Sequence, residues 1–357
     1  MSTELSRRDL ARAAGAAMIA TQGAGAAARR WPITEGPNTP KLCMISSPNP
    51  NERGMRRTKQ LGVDYVLMSG PRIPWEEAQL RAILDRHREA GLTVWNMMIS
   101  GFPNTLYGRP GRDQEIENVQ KSIRAAGKVG LPIVEYNFYA HRATEGYYEE
   151  SGRAGAGMLS FDYEKIKDLP PLPEEGAHSL DEMWANITYF LKAVVPVAKE
   201  ANVRLALHPN DPPAPVSRGS GQIMASLEGW KRLVDIVPSP YNGITFDCGV
   251  TRELGEDPVE VCRYFGKRDC INHVHFRNVR MRIPRQKYTE VFPDEGEVDM
   301  FGVMKELVRQ KYPRLIYPEH PRGLDADREQ PNSGQYAGWV FNVAYARAML
   351  QAAIASL

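Results

Sequence analysis

The sequence contains little cysteine, little histidine and almost no net charge. Its 357 residues include four cysteines and seven histidines, and 45 Lys and Arg residues stand against 43 Asp and Glu residues. The cysteines have no CxxC spacing and are too few to cross-link a chain of this length, so we expect mostly buried thiols rather than a disulfide framework. A formal net charge of +2 provides no broad basic surface, which disfavours a nucleic-acid partner.

The N-terminal segment differs in composition from the rest of the chain. Twin arginines, Arg7 and Arg8, precede a weakly apolar stretch rich in Ala and Gly that ends in small residues at 26–28. This pattern is typical of a twin-arginine export signal, residues 1–28, with an A-x-A-like cleavage site. The stretch is too short and too rich in glycine to stay in a bilayer as a helix. The sequence therefore predicts an exported, periplasmic protein without a stable membrane anchor, or a cytoplasmic one if the signal is inactive.

Residues 29–357 are predicted to form one domain, because no linker, internal repeat or low-complexity segment interrupts them. Short apolar runs alternate there with amphipathic patterns. The predicted strands cover residues 41–47, 63–70, 92–98, 132–139, 203–209, 243–249, 271–279 and 314–320. The predicted helices cover residues 75–90, 113–129, 179–201, 222–236, 257–265, 299–310 and 335–355. The helix beginning near Ser179 is the best marked, since Ser179 and Glu182 form a capping-box pattern.

Strands that alternate with helices indicate right-handed βαβ units and a parallel sheet. Eight of them favour an α/β fold of the closed (β/α)8 TIM-barrel type, although no convincing long helix links the first two strands. A dinucleotide-binding fold is disfavoured, because no G-x-G-x-x-G pattern follows the first strand. In such a barrel the catalytic groups lie at the C-terminal ends of the strands.

Polar side chains collect at these strand ends. His208, Asp247, His275 and Glu319 close the fifth, sixth, seventh and eighth predicted strands. Each alone has an ordinary structural explanation, such as a hydrogen-bonded histidine, a helix cap or an ion pair. Together, in a barrel, they converge on one mouth, and a mixed nitrogen and oxygen set suits Mn²⁺, Mg²⁺, Co²⁺, Fe²⁺ or Zn²⁺. The sequence therefore predicts a site for a divalent metal ion.

Two histidines, His273 and His275, lie two residues apart on the seventh predicted strand. Residues with this spacing face the same side of a strand, so spacing alone allows both to be metal ligands. His275 lies nearer the C-terminal mouth, and we expect it to be the ligand. His273 lies deeper, where we expect a supporting or packing role.

Several motifs resemble the mannonate dehydratase family, which belongs to the xylose-isomerase-like TIM-barrel group. The motifs are YNF at 136–138, VVPVAKEANVRLALHPNDPP at 194–213, GITFDCG at 243–249, HVHFRNV at 273–279, DEGEVDM at 294–300 and YPEHPRG at 317–323. The resemblance runs from about Lys41 to the C-terminus. It implies a metal-dependent lyase of hexuronate catabolism, usually with Mn²⁺, that removes water from D-mannonate to give 2-keto-3-deoxy-D-gluconate.

The resemblance also assigns roles to individual residues. It implies metal ligands at His208 and His275, a further ligand position at Glu319, a catalytic histidine at His320 and a catalytic tyrosine at Tyr336. Histidine and tyrosine can both carry the protons that a dehydration moves, and which of the two is the acid stays open.

The sixth strand offers two candidate ligands. The family has a cysteine ligand there, and alignment on GIT places Asp247 at that position with Cys248 one residue on. Because neighbours on a strand face opposite ways, only one of them can be the ligand. We expect Asp247, with Cys248 as the alternative.

Other polar residues near the strand ends are expected to bind substrate. Asn137, Asn210 and Asp211 are candidates for binding sugar hydroxyls. Arg277 can clamp a substrate carboxylate as a fork, or can form an ion pair inside the barrel mouth.

Three positions depart from the family pattern. Asn210 replaces a carboxylate, Pro321 follows His320 where the family has glycine, and Phe341 occupies a position where it has arginine. These changes leave the substrate open. The alternatives are a metal-dependent isomerase, epimerase or lyase acting on an oxidised sugar or glycoside, and a non-catalytic periplasmic sugar-binding protein. A homo-oligomer is also left open.

Overall fold

The computed structural model describes residues 32–140, 142, 144–330 and 333–357. The predicted export signal, residues 1–28, lies outside the described residues. Fourteen strands occur in the described ranges: β1 (Lys41–Ile45), β2 (Tyr65–Ser69), β3 (Thr93–Ile99), β4 (Ile133–Tyr136), β5 (Tyr147–Ser151), β6 (Gly157–Asp162), β7 (Arg204–Leu207), β8 (Val216–Ser217), β9 (Ser220–Gly221), β10 (Asn242–Asp247), β11 (Ile271–His275), β12 (Asn278–Ile283), β13 (Lys287–Val291) and β14 (Leu315–Tyr317).

The α-helices of the same ranges are α1 (Glu52–Gln60), α2 (Glu77–Glu89), α3 (Pro103–Leu106), α4 (Arg112–Lys128), α5 (Leu180–Glu200), α6 (Leu227–Ile236), α7 (Cys248–Glu253), α8 (Pro258–Lys267), α9 (Met300–Arg309), α10 (Asp325–Arg328) and α11 (Tyr336–Ser356). Among the described helices, none combines the length and the apolar character needed to cross a membrane.

Eight parallel strands close into a barrel in the order β1, β2, β3, β4, β7, β10, β11, β14 and back to β1. The predicted (β/α)8 barrel is thus confirmed, and each of the eight predicted strands overlaps one barrel strand. The link between the first two strands does contain a helix, α1, whose N-terminus is capped by the Asn51 side chain. Its sequence, ERGMRRTKQ, is almost entirely polar, so the apolar periodicity that predicts a helix is missing.

Aromatic side chains fix the outer helices against the barrel. Phe190 on α5 lies 5.5 Å from Phe102, 5.6 Å from Tyr136 and 5.6 Å from Phe138, measured between ring centroids. All four rings are buried. Packing of this kind anchors the end of β4, and with it the residues that follow at the barrel mouth.

Most of the predicted strands end earlier than expected, and two of them end at an expected site residue. The predicted strand 271–279 stops at His275, and the chain turns at Phe276 and Arg277 before β12 begins. The predicted strand 243–249 stops at Asp247, because Cys248 is the first residue of α7. His208 and Glu319 lie just beyond the ends of β7 and β14.

A second sheet, missed by the sequence analysis, lies at the barrel mouth. Its four antiparallel strands have the order β12, β13, β6, β5, and we call it the accessory sheet. Tyr147, Leu159 and Glu290 from three of these strands line one cavity together with residues that end barrel strands. The accessory sheet thus covers part of the mouth and adds side chains to it.

The capping box predicted at α5 is present. The Ser179 hydroxyl accepts a hydrogen bond from the Glu182 backbone N–H at 3.2 Å, and the Glu182 carboxylate accepts one from the Ser179 N–H at 2.7 Å. Two of the unpaired N–H groups at the helix start are thereby satisfied.

We therefore expect Ser179→Ala to lower the free energy of unfolding by about 1 kcal/mol, measured by urea denaturation. Lys192→Ala is the matched control, because Lys192 is exposed in the middle of the same helix. It should change the free energy by no more than about 0.5 kcal/mol. Equal effects of the two substitutions would show that the cap contributes nothing.

Candidate active site

Four buried side chains converge at the C-terminal ends of the late barrel strands. Asp247 and His275 end β10 and β11, while His208 and Glu319 follow β7 and β14. One ligand atom from each lies within 4.8 Å of the other three. We call this group the His/carboxylate cluster. An ion with bonds of about 2.1 Å holds neighbouring ligand atoms about 3–4 Å apart, so the cluster has the right size for a metal ion.

The individual distances show how tightly the ligand atoms converge. His275 Nδ1 lies 3.1 Å from His208 Nε2, 2.8 Å from Glu319 Oε1 and 3.9 Å from Asp247 Oδ2. Glu319 Oε1 is buried and also lies 3.4 Å from Arg277 Nε. A buried carboxylate oxygen beside two imidazole nitrogens fits a divalent cation.

The tautomer of His208 also fits a metal site. Its Nδ1 lies 2.7 Å from the Pro209 carbonyl oxygen, which can only accept a hydrogen bond. Nδ1 therefore carries the hydrogen, and the lone pair of the neutral ring is on Nε2, which faces the His/carboxylate cluster. A metal-binding histidine commonly has its other ring nitrogen fixed in this way.

Charges in the His/carboxylate cluster shift the pKa values of its members. Burial lowers the pKa of His275, but Glu319, Glu135 and Asp247 outweigh it and raise that pKa to about 9. Burial raises the pKa of Glu319, yet His275 and other cations hold it well below its usual value. For Asp247 burial dominates, and its pKa is raised. The protein thus concentrates negative charge around His275, as a cation site requires.

Arg277 is an internal ion-pair partner rather than a substrate clamp. Its Nε, Nη1 and Nη2 donate to Asp247 Oδ2 at 2.9 Å, Glu253 Oε1 at 2.7 Å and Asp211 Oδ2 at 2.9 Å. The residue is only 3% exposed. The expectation that Arg277 binds a substrate carboxylate is therefore wrong for this structure, because every nitrogen of its guanidinium is committed to the protein. The ion-pair alternative is the one observed.

Cys248 does not point toward the His/carboxylate cluster. Its Sγ donates to the backbone carbonyls of His275 at 3.3 Å and Arg277 at 3.2 Å. Burial raises the pKa of the thiol above its usual value. The alternative that Cys248 is the metal ligand is therefore excluded by geometry, and Asp247 occupies the cluster instead.

Asp247 has two structural bonds besides its place in the cluster. Its Oδ1 accepts from the Val250 N–H at 2.8 Å and caps α7, and its Oδ2 accepts from Arg277. The helix-cap explanation considered for this residue is therefore confirmed, and the oxygen that caps α7 is not the one that accepts from Arg277.

Two other expected site residues have different roles. Tyr336 begins α11, and its ring packs against the Arg57 guanidinium with 4.5 Å between the ring centroid and Arg57 Cζ. Tyr336 lines neither of the two cavities at the barrel mouth. Asn210 accepts from the Met224 N–H at 2.8 Å and donates to the Gln222 side chain. The structure thus uses Asn210 to fix the loop after β7, and it does not bring Tyr336 to the cluster.

The mouth contains two adjoining cavities. The inner chamber, about 420 Å³, reaches the cluster residues His208, His275 and Glu319. The outer chamber, about 630 Å³, lies toward Gly323 and Trp339. Both are lined by Ile45, Leu159, Glu290, Tyr317 and His320. The two chambers therefore form one cleft with His320 at their junction.

Two of the expected substrate-binding residues line the inner chamber. Asn137 presents a buried Oδ1 atom that has no hydrogen-bond partner among the described residues. Asp211 Oδ1 accepts from the hydroxyls of Tyr147 at 3.0 Å and Tyr288 at 3.1 Å. Asn137 is thus free to bind a hydroxyl, whereas Asp211 mainly ties the accessory sheet to the loop after β7.

His320 has a distinctive local structure. Its backbone has a φ of +50°, a conformation that non-glycine residues rarely adopt. Its Nδ1 lies 2.8 Å from Glu290 Oε2, and its Nε2 lies 3.6 Å from Glu319 Oε2. Burial lowers the pKa of His320, but Glu290 and Glu319 outweigh it and raise that pKa to about 9.

The sequence analysis missed two buried glutamates of this site. Glu135 on β4 accepts from Asn96 and Thr245, both at 2.7 Å, and its Oε1 lies 3.5 Å from His275 Nε2. A charged residue inside the apolar run PIVEYNF was a signal for it. Glu290 lies on β13 of the accessory sheet, which was not predicted at all, so no comparable signal existed.

The barrel and the cluster at its mouth define a TIM-barrel enzyme of the xylose-isomerase-like type. D-psicose 3-epimerase from Clostridium cellulolyticum H10 has the same fold, with a TM-score of 0.58 and 12% identity over 87% of this chain and 99% of that chain. The crystal structure of mannonate dehydratase from Streptococcus suis serotype 2 is more similar, with a TM-score of 0.80 and 26% identity over 89% of this chain and 95% of that chain.

Sequence comparison defines the family. The family model described as D-mannonate dehydratase (UxuA) matches residues 51–173 and 176–356. Mannonate dehydratase of Thermotoga maritima is 32% identical over 299 residues, which span 73% of this chain and 82% of that protein. The chain therefore belongs to the D-mannonate dehydratase family, whose members are named as hydro-lyases, and the resemblance noted in the sequence is confirmed.

The two histidines of β11 should differ in their effect on metal content. His275→Ala removes a cluster nitrogen. Loss of a residue that only hydrogen-bonds to a metal ligand typically weakens metal binding about 10–100-fold, so this substitution should weaken it at least as much. His273→Ala is the comparison, because His273 lies on the same strand outside the His/carboxylate cluster and belongs to a second group of possible ligands, with Glu135 and His275. Metal content and affinity are measured by inductively coupled plasma mass spectrometry after equilibrium dialysis. Equal losses in both variants would contradict the assignment.

Removal of the Arg277 guanidinium should cost stability. Arg277→Gln leaves three buried carboxylates without their cation and should lower the free energy of unfolding by about 3–5 kcal/mol. The control is Arg252→Gln, which breaks a partly exposed ion pair to Glu297 and should cost no more than about 1 kcal/mol. Urea denaturation measures both. If Arg277→Gln instead kept full stability and raised only KM, Arg277 would be a substrate clamp after all.

Proposed function

We propose that this protein removes water from a six-carbon sugar acid, D-mannonate, to give 2-keto-3-deoxy-D-gluconate, with Mn²⁺ bound by the His/carboxylate cluster. The observation that carries the proposal is the placement of His320 and the cluster around one chamber in a member of this family. Glu319 and His320 are neighbours in sequence, and both face the inner chamber. A proton-transfer group thus adjoins the site that would hold the substrate carboxylate.

The reaction breaks two bonds of the substrate. The C2–H bond breaks as a base takes the proton, and the C3–O bond breaks as the hydroxyl leaves with a proton as water. The enol that remains becomes the 2-keto acid when its C2 hydroxyl loses a proton and C3 gains one. A divalent cation, when bound, draws electron density from the substrate carboxylate and so stabilises the charge that develops at C2.

The residues of the chain supply binding and proton transfer. His320 lies at the junction of the two chambers and carries a proton to or from the substrate through Nε2. The free Oδ1 of Asn137 accepts a hydrogen bond from a substrate hydroxyl. The accessory sheet, through Tyr147 and Leu159, covers the inner chamber and limits the access of water.

The donor set supports Mn²⁺ as the metal. Two imidazole nitrogens and two carboxylate oxygens suit a cation of intermediate hardness. The Cys248 thiol is turned toward backbone carbonyls. The absence of sulfur from the cluster favours Mn²⁺, Mg²⁺ or Co²⁺ over metals that prefer thiolate ligands.

The outer chamber favours a second candidate function. The inner chamber of about 420 Å³ already lies within the usual range for a small-molecule site, about 300–1,000 Å³, and the outer chamber adds about 630 Å³. This additional space suits a larger substrate, such as an oxidised glycoside cleaved by the same proton-transfer chemistry. Incubation with a methyl 3-keto-glucoside distinguishes the two functions, because only a glycoside lyase releases methanol.

Replacement of His320 should abolish dehydration without removing the metal. With Mn²⁺-loaded protein and D-mannonate, we expect His320→Asn to lower kcat by about 10²–10⁴-fold, the usual contribution of a positioned acid or base. Tyr336→Phe is the control, because Tyr336 lies outside the chamber, and it should retain wild-type kcat. Formation of the 2-keto acid is followed by NMR. Full activity of the His320 variant, or no turnover by the wild type, would refute the proposed function.

A further inference from the structure

We propose that Glu290, on the accessory sheet, is the positioning residue for His320, so that the two form a Glu–His dyad across the cleft. The inference rests on the proposed function, because it assigns His320 the proton transfer. Glu290 accepts hydrogen bonds from His320 and Arg322, and it lies outside the His/carboxylate cluster. Although Glu290 also lines both chambers, we infer from these bonds that it acts on the reaction through His320.

The hydrogen bond between the two residues fixes which ring nitrogen reacts. His320 Nδ1 lies 2.8 Å from Glu290 Oε2, and an ionised carboxylate only accepts hydrogen bonds. Nδ1 therefore keeps its hydrogen in both charge states of the ring. Nε2 is left as the atom that gains or loses a proton, and it lies on the side of Glu319 and the inner chamber. This is the division of roles between the two nitrogens that a catalytic histidine needs.

A second contact holds the same arrangement from the other side. Arg322 Nε donates to the His320 carbonyl at 3.0 Å, and Arg322 Nη2 donates to Glu290 Oε2 at 2.9 Å. One guanidinium thus fixes both the backbone and the partner of the histidine. His320 has an unfavourable positive φ of +50°, and such strain persists only where surrounding contacts enforce it, most often at functional sites.

The position of Glu290 explains why its carboxylate is held firmly. The residue is 2% exposed, and β13 pairs with β12 on one side and β6 on the other. In the register of these strands Glu290 lies opposite Val279 and Leu159. A buried carboxylate on a central strand has little freedom, so the accessory sheet serves as a rigid support for His320.

Steady-state kinetics of Glu290→Gln test the dyad. The amide is nearly isosteric but can also donate, so it no longer enforces a single ring orientation. We expect kcat on D-mannonate to fall by about 10²-fold with KM changed by less than about twofold and metal content unchanged. Glu117→Gln is the control, because Glu117 is an exposed carboxylate on α4 that lines neither chamber, and its kcat should be that of the wild type.

A double-mutant cycle separates positioning from a general structural effect. In a His320→Asn background Glu290→Gln should cause no further loss of kcat, because its effect passes through the imidazole. A further loss of the same factor, or a loss of metal from Glu290→Gln alone, would overturn the proposal. Unchanged kcat in the single Glu290 variant would overturn it too.

A spectroscopic measurement tests the dyad without turnover. In protein labelled with ¹⁵N-histidine, a hydrogen-bonded Nδ1–H proton resonance should be present in the wild type and in Glu117→Gln. It should be lost in His320→Asn and in Glu290→Ala, which leaves Nδ1–H without the Glu290 acceptor. If D-mannonate is not dehydrated but the resonance behaves in this way, the proposed function fails and the dyad stands. If the resonance survives in Glu290→Ala, the dyad fails whatever the substrate.

Discussion

The ion pairs of Arg277 are the interaction on which the barrel mouth depends. One guanidinium binds carboxylates from the end of β10, from α7 and from the loop after β7. Carboxylates buried close together repel one another and lose their hydration. A central cation offsets both of these energetic costs. Because Arg277 follows His275 of the cluster by two residues, the same turn that ends β11 also neutralises the acidic groups around the cluster.

Two layers of structure supply different parts of the candidate site. The barrel contributes the His/carboxylate cluster, since parallel strands that end together bring His208, Asp247 and His275 to one place. The accessory sheet contributes the partner of His320 and the cover of the inner chamber. The candidate metal ligands and the partner of His320 therefore lie on two different sheets. The two sheets are joined where the chain passes from β11 to β12.

The barrel and the cluster could be predicted from the sequence, whereas the accessory sheet could not. Buried parallel strands are continuous apolar runs, and polar residues at their ends stand out against them. The strands of the accessory sheet are short and partly polar, so no apolar pattern marks them. They form two hairpins, β5 with β6 and β12 with β13, and the pairing of β13 with β6 that joins the hairpins links residues far apart in the sequence. The roles of Arg277 and Tyr336 depended on side-chain direction beyond the strand ends, which a sequence pattern does not specify.

The contact between Glu290 and His320 depends on how β12 pairs with β13. In this pairing Glu290 lies opposite Val279, and Val291 lies opposite Asn278. The reversal of the chain at residues 284–286 partly sets this register. A slip of one residue would turn every side chain of β13 to the other face and carry Glu290 away from the histidine. The hairpin tip, which lies in neither chamber, thus helps to set the position of Glu290 relative to His320. An insertion there would displace Glu290 and leave the barrel strands unchanged.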